Sequence, residues 1–153
     1  MRVLCLFMII VLSLSGCGQK SPFPVEPVEG TITLDGVAIE GATISFSPKT
    51  PEGGKPAAGR TNAHGIYKLT AFSGGLPEKG TMIGSYNVTV VLDRREREIT
   101  PEEAEILRNG GRIQEIPTIN VVPRKYNSSA TSGLSAEVIK GKNVFDFDLT
   151  TAR

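Results

Sequence analysis

GTITLDGVAIEGATISFSPKTPEGGKPAAGRTNAHGIYKLT, residues Gly30 to Thr70, reads as short alternating strands punctuated by glycine turns. Just upstream and into it, Val28, Gly30, Ile32 and Leu34 fall on one face, and Glu29, Thr31, Thr33 and Asp35 on the other. A period of two marks a half-buried strand with one side on a core and one in water. Asp35-Gly36 follows, and such a pair supplies the positive φ angles of a tight primed hairpin turn. The next strand puts Ala42, Ile44 and Phe46 inward and Thr43, Ser45 and Ser47 outward, and Pro48 ends it by removing a ladder donor. Beyond a Gly/Pro/Lys loop, a turn at Asn62-Ala63-His64-Gly65 leads into Ile66 to Thr70, with Tyr67 and Leu69 inward. Short strands at this spacing predict an antiparallel sandwich.

The pattern continues downstream. Tyr86, Val88, Val90 and Leu92 share a face and make the longest strand signal in the chain. Residues 93–115, DRREREITPEEAEILRNGGRIQE, break the alternation. Thr100 as capping hydroxyl, Pro101 at the first helical position and Glu103 at the third predict a helix from Pro101 to Asn109, stopped by Gly110-Gly111. Its apolar stripe is Ala104 and Leu107, so it reads as a solvated insertion on a sheet edge or projecting from one. Seven carboxylates against five arginines give residues 93–115 a slightly acidic balance and no patch. Pro117 and Pro123 bracket an edge strand, residues 124–133 form a polar turn region, and Tyr126 falls in that loop. The last two strands, Leu134 to Val138 and Val144 to Leu149, are joined through Lys140-Gly141-Lys142-Asn143. Phe145, Phe147 and Leu149 face the core while Asp146 and Asp148 face out, for a total of about seven or eight strands.

The N-terminal end carries an address. Arg2 precedes an apolar run from Val3 to about Leu14, too short to span a bilayer stably and shaped like a secretory signal. The run ends in Leu14-Ser15-Gly16-Cys17, which resembles the lipobox of bacterial lipoproteins. That resemblance makes 1–16 a signal peptide and Cys17 the lipidated first mature residue. Two or three acyl chains then hold the protein in a membrane, since one chain alone binds only marginally. Gly18 after the cysteine, where the sorting rule of some diderm bacteria would place Asp for retention, favours the outer membrane. Residues 17–27 hold Pro22, Pro24 and Pro27 and form an extended tether, and 28–149 form one domain. With 17 basic residues against 16 acidic ones and Arg2 lost with the leader, the mature chain is near neutral. That argues against nucleic acid or an anionic bilayer as an electrostatic partner. Cys5 leaves with the signal and Cys17 is modified, so the core holds without a disulfide.

GTITLDGVAIEGATISFSP, AAGRTNAHGIYKLT and GSYNVTVV together resemble the carboxypeptidase regulatory-like domain, over roughly Val28 to Leu92. The ending VVPRKYNSSATSGLSAEVIKGKNVFDFDL resembles the tail of small envelope lipoproteins carrying that domain. The resemblance implies a transthyretin-like Greek-key β-sandwich. Asn62 stands where the family often has Asp, and Asn tolerates the same turn.

No catalytic constellation is visible, so the chain reads as a non-enzymatic module with no catalytic residues, cofactor, metal site or small-molecule substrate identified. Transthyretin-like folds include hydroxyisourate hydrolases, which use more than one histidine with an arginine and a particular C-terminal segment. The single His64, in a turn, and the ending Thr150-Thr151-Ala152-Arg153 do not match them. An intramolecular isopeptide bond is disfavoured because the first strand has no lysine and Lys68 alternates outward. Gly53-Gly54 and Gly74-Gly75 lack the lysine, serine and helix context of a phosphate loop and read as turns. The expected role is a lipid-anchored envelope protein that binds the membrane through Cys17 and contacts an envelope protein partner. Its contact surface would be an exposed sheet edge, the Lys49 to Pro56 loop or the Asp93 to Glu115 insertion. The alternative is a small ligand-binding module, for Ca²⁺ through Asp146, Asp148 and Glu137, or for carbohydrate through exposed aromatics. The absence of Trp and the inward Tyr67 and Tyr86 count against sugar. An enzyme would need a polar cluster assembled from loops.

Overall fold

The computed structural model describes residues 24–73 and 76–152. The leader, Cys17, the start of the tether and Gly74-Gly75 lie outside the described residues. The chain is hydrogen-bonded into the fold from Glu26, whose backbone pairs with Thr81 (N–H to O 2.7 and 3.0 Å).

Strands β1 (Val28–Leu34), β2 (Val37–Ala38), β3 (Thr43–Pro48) and β4 (Ala57–Arg60) come first. They are followed by β5 (Ile66–Lys68), β6 (Thr70–Ser73), β7 (Leu76–Lys79) and β8 (Gly84–Val91). Next come β9 (Asp93–Arg95), helix α1 (Pro101–Arg108), β10 (Thr118–Asn120) and a 3₁₀ turn at Arg124–Asn127. Strands β11 (Leu134–Val138), β12 (Asn143–Val144) and β13 (Phe147–Leu149) complete the chain. One sheet runs β11-β8-β3-β4-β6-β7, all antiparallel. The other is built on β1, with β2 and β5 antiparallel on one flank and β12 and β13 parallel on the other. The protein is all-β, two sheets packed over one core.

The period-two reading places the core correctly. Val28, Ile32, Ala42, Ile44, Phe46, Tyr67, Leu69, Tyr86, Val88, Val90 and Leu92 are all buried, and the alternate residues of these strands are not. Each large apolar side chain so buried contributes roughly 1.5–3 kcal/mol. Phe46 ties the sheets together: its ring lies 5.8 Å from Tyr86 in its own sheet, and 6.0 and 6.4 Å from Phe145 and Phe147 in the other. The Asp35-Gly36 turn forms as expected, with φ of 50° and 78° closing the β1–β2 hairpin. Gly30 is needed for space: a Cβ there would sit 1.8 Å from Phe145 O. Its absence lets the Tyr67 hydroxyl cross β1 and donate to Phe145 O at 2.7 Å. Burial pushes the Tyr67 phenol well above its ordinary pKa.

Two readings change. The last strands are not neighbours: β11 pairs with β8, whereas β12 and β13 pair with β1 in the facing sheet. Asn143, 4% exposed, holds the crossing. Its Oδ1 accepts from Ile139 N–H (2.9 Å), and its Nδ2 donates to Ile139 O (2.9 Å) and Gly141 O (2.8 Å). Tyr126 is also buried, and its hydroxyl accepts from Thr150 N–H at 3.1 Å. Beside it, Thr151 donates through Oγ1 and N–H to the Asp35 carboxylate (2.7 and 3.0 Å), which holds Asp35 below the usual carboxylate range.

Candidate interaction surface

The insertion of residues 93–115 is the part of the chain that does not join the sandwich. Leu92, still buried, ends the core run, and β9 continues outward to pair with β10 (Arg95 opposite Thr118, Asp93 opposite Asn120). Val121 N–H to Leu92 O and Glu96 N–H to Pro117 O, each 2.8 Å, extend this ribbon at both ends. The edge strand read between Pro117 and Pro123 is therefore half of a two-stranded arm separate from both main sheets.

Helix α1 sits at the end of the arm and is fixed locally. Glu103 N–H donates to Thr100 Oγ1 (3.3 Å) and Thr100 N–H donates to Glu103 Oε2 (3.0 Å), which completes the capping box. Arg97 grips the same carboxylate with both terminal nitrogens at 2.7 Å. The Arg97 guanidinium and the Thr100 N–H hold the Glu103 carboxyl down to about 2, and Arg97 is raised in turn. At the other end Gly110 N–H donates to Leu107 O (3.1 Å) and Gly111 N–H to Ile106 O (2.8 Å), a Schellman closure. An isolated helix this short is marginal in water. These caps and the ion pair hold it while it buries no residue at all.

Among the arm's exposed charged side chains stand three exposed apolar ones. Ile106 is 44% exposed, Leu107 42% and Ile119 51%. Leu107 joins Ile99, Ile113 and Ile116 along a shallow groove of about 270 Å³, with Arg95 beside it. The sequence reading named Ala104 and Leu107 only. The other isoleucines come from either side of the helix, so helical periodicity could not group them.

The remaining candidates fall out as follows. The Lys49 to Pro56 loop is pinned from beneath, where the Tyr86 hydroxyl donates to Met82 O (2.8 Å) and lies 3.1 Å from Thr81 Oγ1. Thr81 in turn donates to Lys55 O at 2.9 Å. The carboxylates proposed for Ca²⁺ do not converge. Glu137 lies opposite Ser85 in the other sheet, Asp146 accepts from Thr31 N–H (2.7 Å) and Asp148 accepts from the Thr33 hydroxyl (2.6 Å). Among the described residues no group of three or more His, Cys, Asp or Glu is placed to hold a metal ion. His64 is exposed in its turn, where Asn62 Oδ1 accepts from the N–H groups of His64 and Ile66. Lys68 points to solvent, 3.8 Å from Glu29. All three tyrosines are buried, so none offers a stacking face for a sugar.

Sequence reasoning missed a meeting of three lysines. Lys68, Lys79 and Lys142 rim an open cleft of about 440 Å³ beside Pro27. They come from three separate elements, and only the tertiary fold brings them together. Among the described residues no helix is long and apolar enough to cross a membrane. No protein-family model, curated protein or solved structure matches the chain.

Proposed function

We propose that this chain is a lipid-anchored protein of the bacterial cell envelope, a carboxypeptidase regulatory-like, transthyretin-like Greek-key sandwich. In this reading it is a non-enzymatic module that displays the β9–α1–β10 arm to an envelope protein partner. One observation carries the reading: a helix capped at both ends has no fully buried residue and leaves Ile106 and Leu107 partly in water. Apolar side chains held in a fixed geometry and left partly open to solvent are what a partner surface needs. The two facing sheets and the Asp35-Gly36 hairpin support the family reading, and the lipobox residues Leu14 to Cys17 support the anchor.

The test is crosslinking in growing cells with a photoreactive residue at position 106. A discrete adduct is expected, and the added substitution Leu107→Asp should abolish it without changing the folded stability. An adduct that persists unchanged in that variant would place the contact elsewhere. Cys17→Ala should release the protein from the membrane fraction; full retention would refute the anchor.

A further inference from the structure

The sequence is near neutral, but the fold separates its charges. Lys68 ends β5, Lys79 ends β7 and Lys142 directly precedes β12, and the three stand around a cleft whose floor is Val28 and Leu69. Glu29 is the single carboxylate lining it, 2.7 Å from Lys142 and 3.8 Å from Lys68. Lys79 is exposed and has no ion-pair partner among the described residues. The neighbouring loops and strand ends carry Lys49, Lys55 and Lys140 against Glu26, Glu52, Glu78 and Glu137, so the positive excess is confined to the cleft. The arm at the other end carries the opposite balance.

Position gives that excess a target. Pro27 forms part of the cleft wall, and seven peptide units join Cys17 to Pro24. Seven residues reach at most about 25 Å, so a lipid on Cys17 keeps this end of the domain close to the bilayer. Strand β8 begins three residues after Thr81, beside the cleft, and delivers the chain to the arm roughly 25 Å away at about 3.3 Å per residue. The lysines are at the tethered end and the arm is at the far one.

We propose that the end of the sandwich bearing Lys68, Lys79 and Lys142 rests on an anionic phospholipid surface, which stands the arm away from the membrane. The inference rests on the lipid anchor argued above. Attraction between the amines and headgroups acts only within a Debye length, about 8 Å at physiological salt. The tether supplies that closeness by converting a weak contact into an intramolecular one. This reverses the expectation drawn from net charge: the total is balanced, but the side that meets the bilayer is not.

The experiment uses the full lipidated protein on vesicles of phosphatidylcholine, with and without phosphatidylglycerol, and reads acetylation of each lysine by mass spectrometry. On the anionic vesicles Lys68, Lys79 and Lys142 should be labelled about fivefold more slowly, the factor that attraction of one basic side chain to such a surface is worth. High salt should remove the difference, and Lys125, at the opposite end beside the C-terminus, should label equally on both. Protein that floats with both vesicles but labels equally at the three lysines overturns this inference and leaves the anchor standing. Protein that fails to float overturns the anchor and the inference with it. Equal protection by inorganic phosphate in detergent, without vesicles, would also overturn it by making the cleft a free-anion site.

Discussion

Replacing Asn143 with Ala removes the side chain that carries the chain from one sheet to the other. Three short hydrogen bonds disappear, to Ile139 N–H, Ile139 O and Gly141 O, and a fourth, long one from Nδ2 to Pro27 O (3.5 Å) adds little. At about 1 kcal/mol net for each, the ceiling is roughly 3 kcal/mol. Ile139 and Gly141 are exposed, so water recovers part of what their backbone groups lose. The side chain of Asn143 is buried, and its replacement also leaves a small void, so a loss of about 2 kcal/mol is expected. With a urea m-value of about 2 kcal/mol/M, the unfolding midpoint falls by about 1 M at unchanged slope. Asn143→Asp separates hydrogen bonding from size. One carboxylate oxygen still accepts from Ile139 N–H, but the other faces the carbonyls of Ile139, Gly141 and Pro27 that formerly accepted. The folded state then favours the protonated acid and raises its pKa above the unfolded value. The penalty is absent below the ordinary aspartate range and complete above the raised value, so this variant alone loses stability as pH rises. A midpoint within about 0.2 M of the parent for Asn143→Ala, or an Asp variant indifferent to pH, would refute the account.

Three further outcomes follow from particular contacts. Gly54→Ala places a Cβ 2.0 Å from the Tyr86 hydroxyl at a φ of +132°, and should cost about 3 kcal/mol or more in urea unfolding. Tyr86→Phe costs about 1 kcal/mol alone, and in the Gly54→Ala background should cost less or restore stability; simple additivity would exclude the clash as the cause. Thr100→Ala should speed amide exchange in α1 about fivefold while the global urea midpoint stays fixed, because no residue of the helix belongs to the core. The Glu103 carboxyl is held down to about 2, so its support of α1 is present above the ordinary glutamate range and is lost as pH falls through about 2. Arg97→Gln should move that loss upward in pH, which an NMR titration of Glu103 would follow.

The strands and their faces were legible because a half-buried sheet writes its burial into alternate residues. The run from Tyr86 to Leu92 is the plainest case, and Asp35-Gly36 and the Thr100 to Glu103 box are chemical signals of the same local kind. Pairing was less legible. Residues 134–138 and 144–149 look like hairpin neighbours, since nothing between them records a change of sheet except one buried amide, Asn143. Alternation likewise sends Asp146 outward, correctly, without revealing that its carboxylate takes Thr31 N–H where β12 gives way to β13. Tyr126 could not be placed inside from a polar loop, because its turn packs on β8 and its hydroxyl meets Thr150 N–H, both distant in sequence. Of the candidate site, the helix and its caps were readable, whereas the lysine cleft draws on positions 68, 79 and 142 and exists only after folding.

The parallel pairing of β13 with β1, Ile32 opposite Phe147 and Leu34 opposite Leu149, also sets a timetable. A strand near the beginning of the polypeptide has one whole flank reserved for residues near its end. A chain that emerges N-terminus first can assemble β3, β4 and β8 early, but must hold β1 with that flank open. The slow, long-range contact is thus the final one. Until it closes, β1 presents an unsatisfied edge of the kind that recruits other chains. The chain is therefore most exposed to mispairing in the moments before Phe147 to Leu149 arrive.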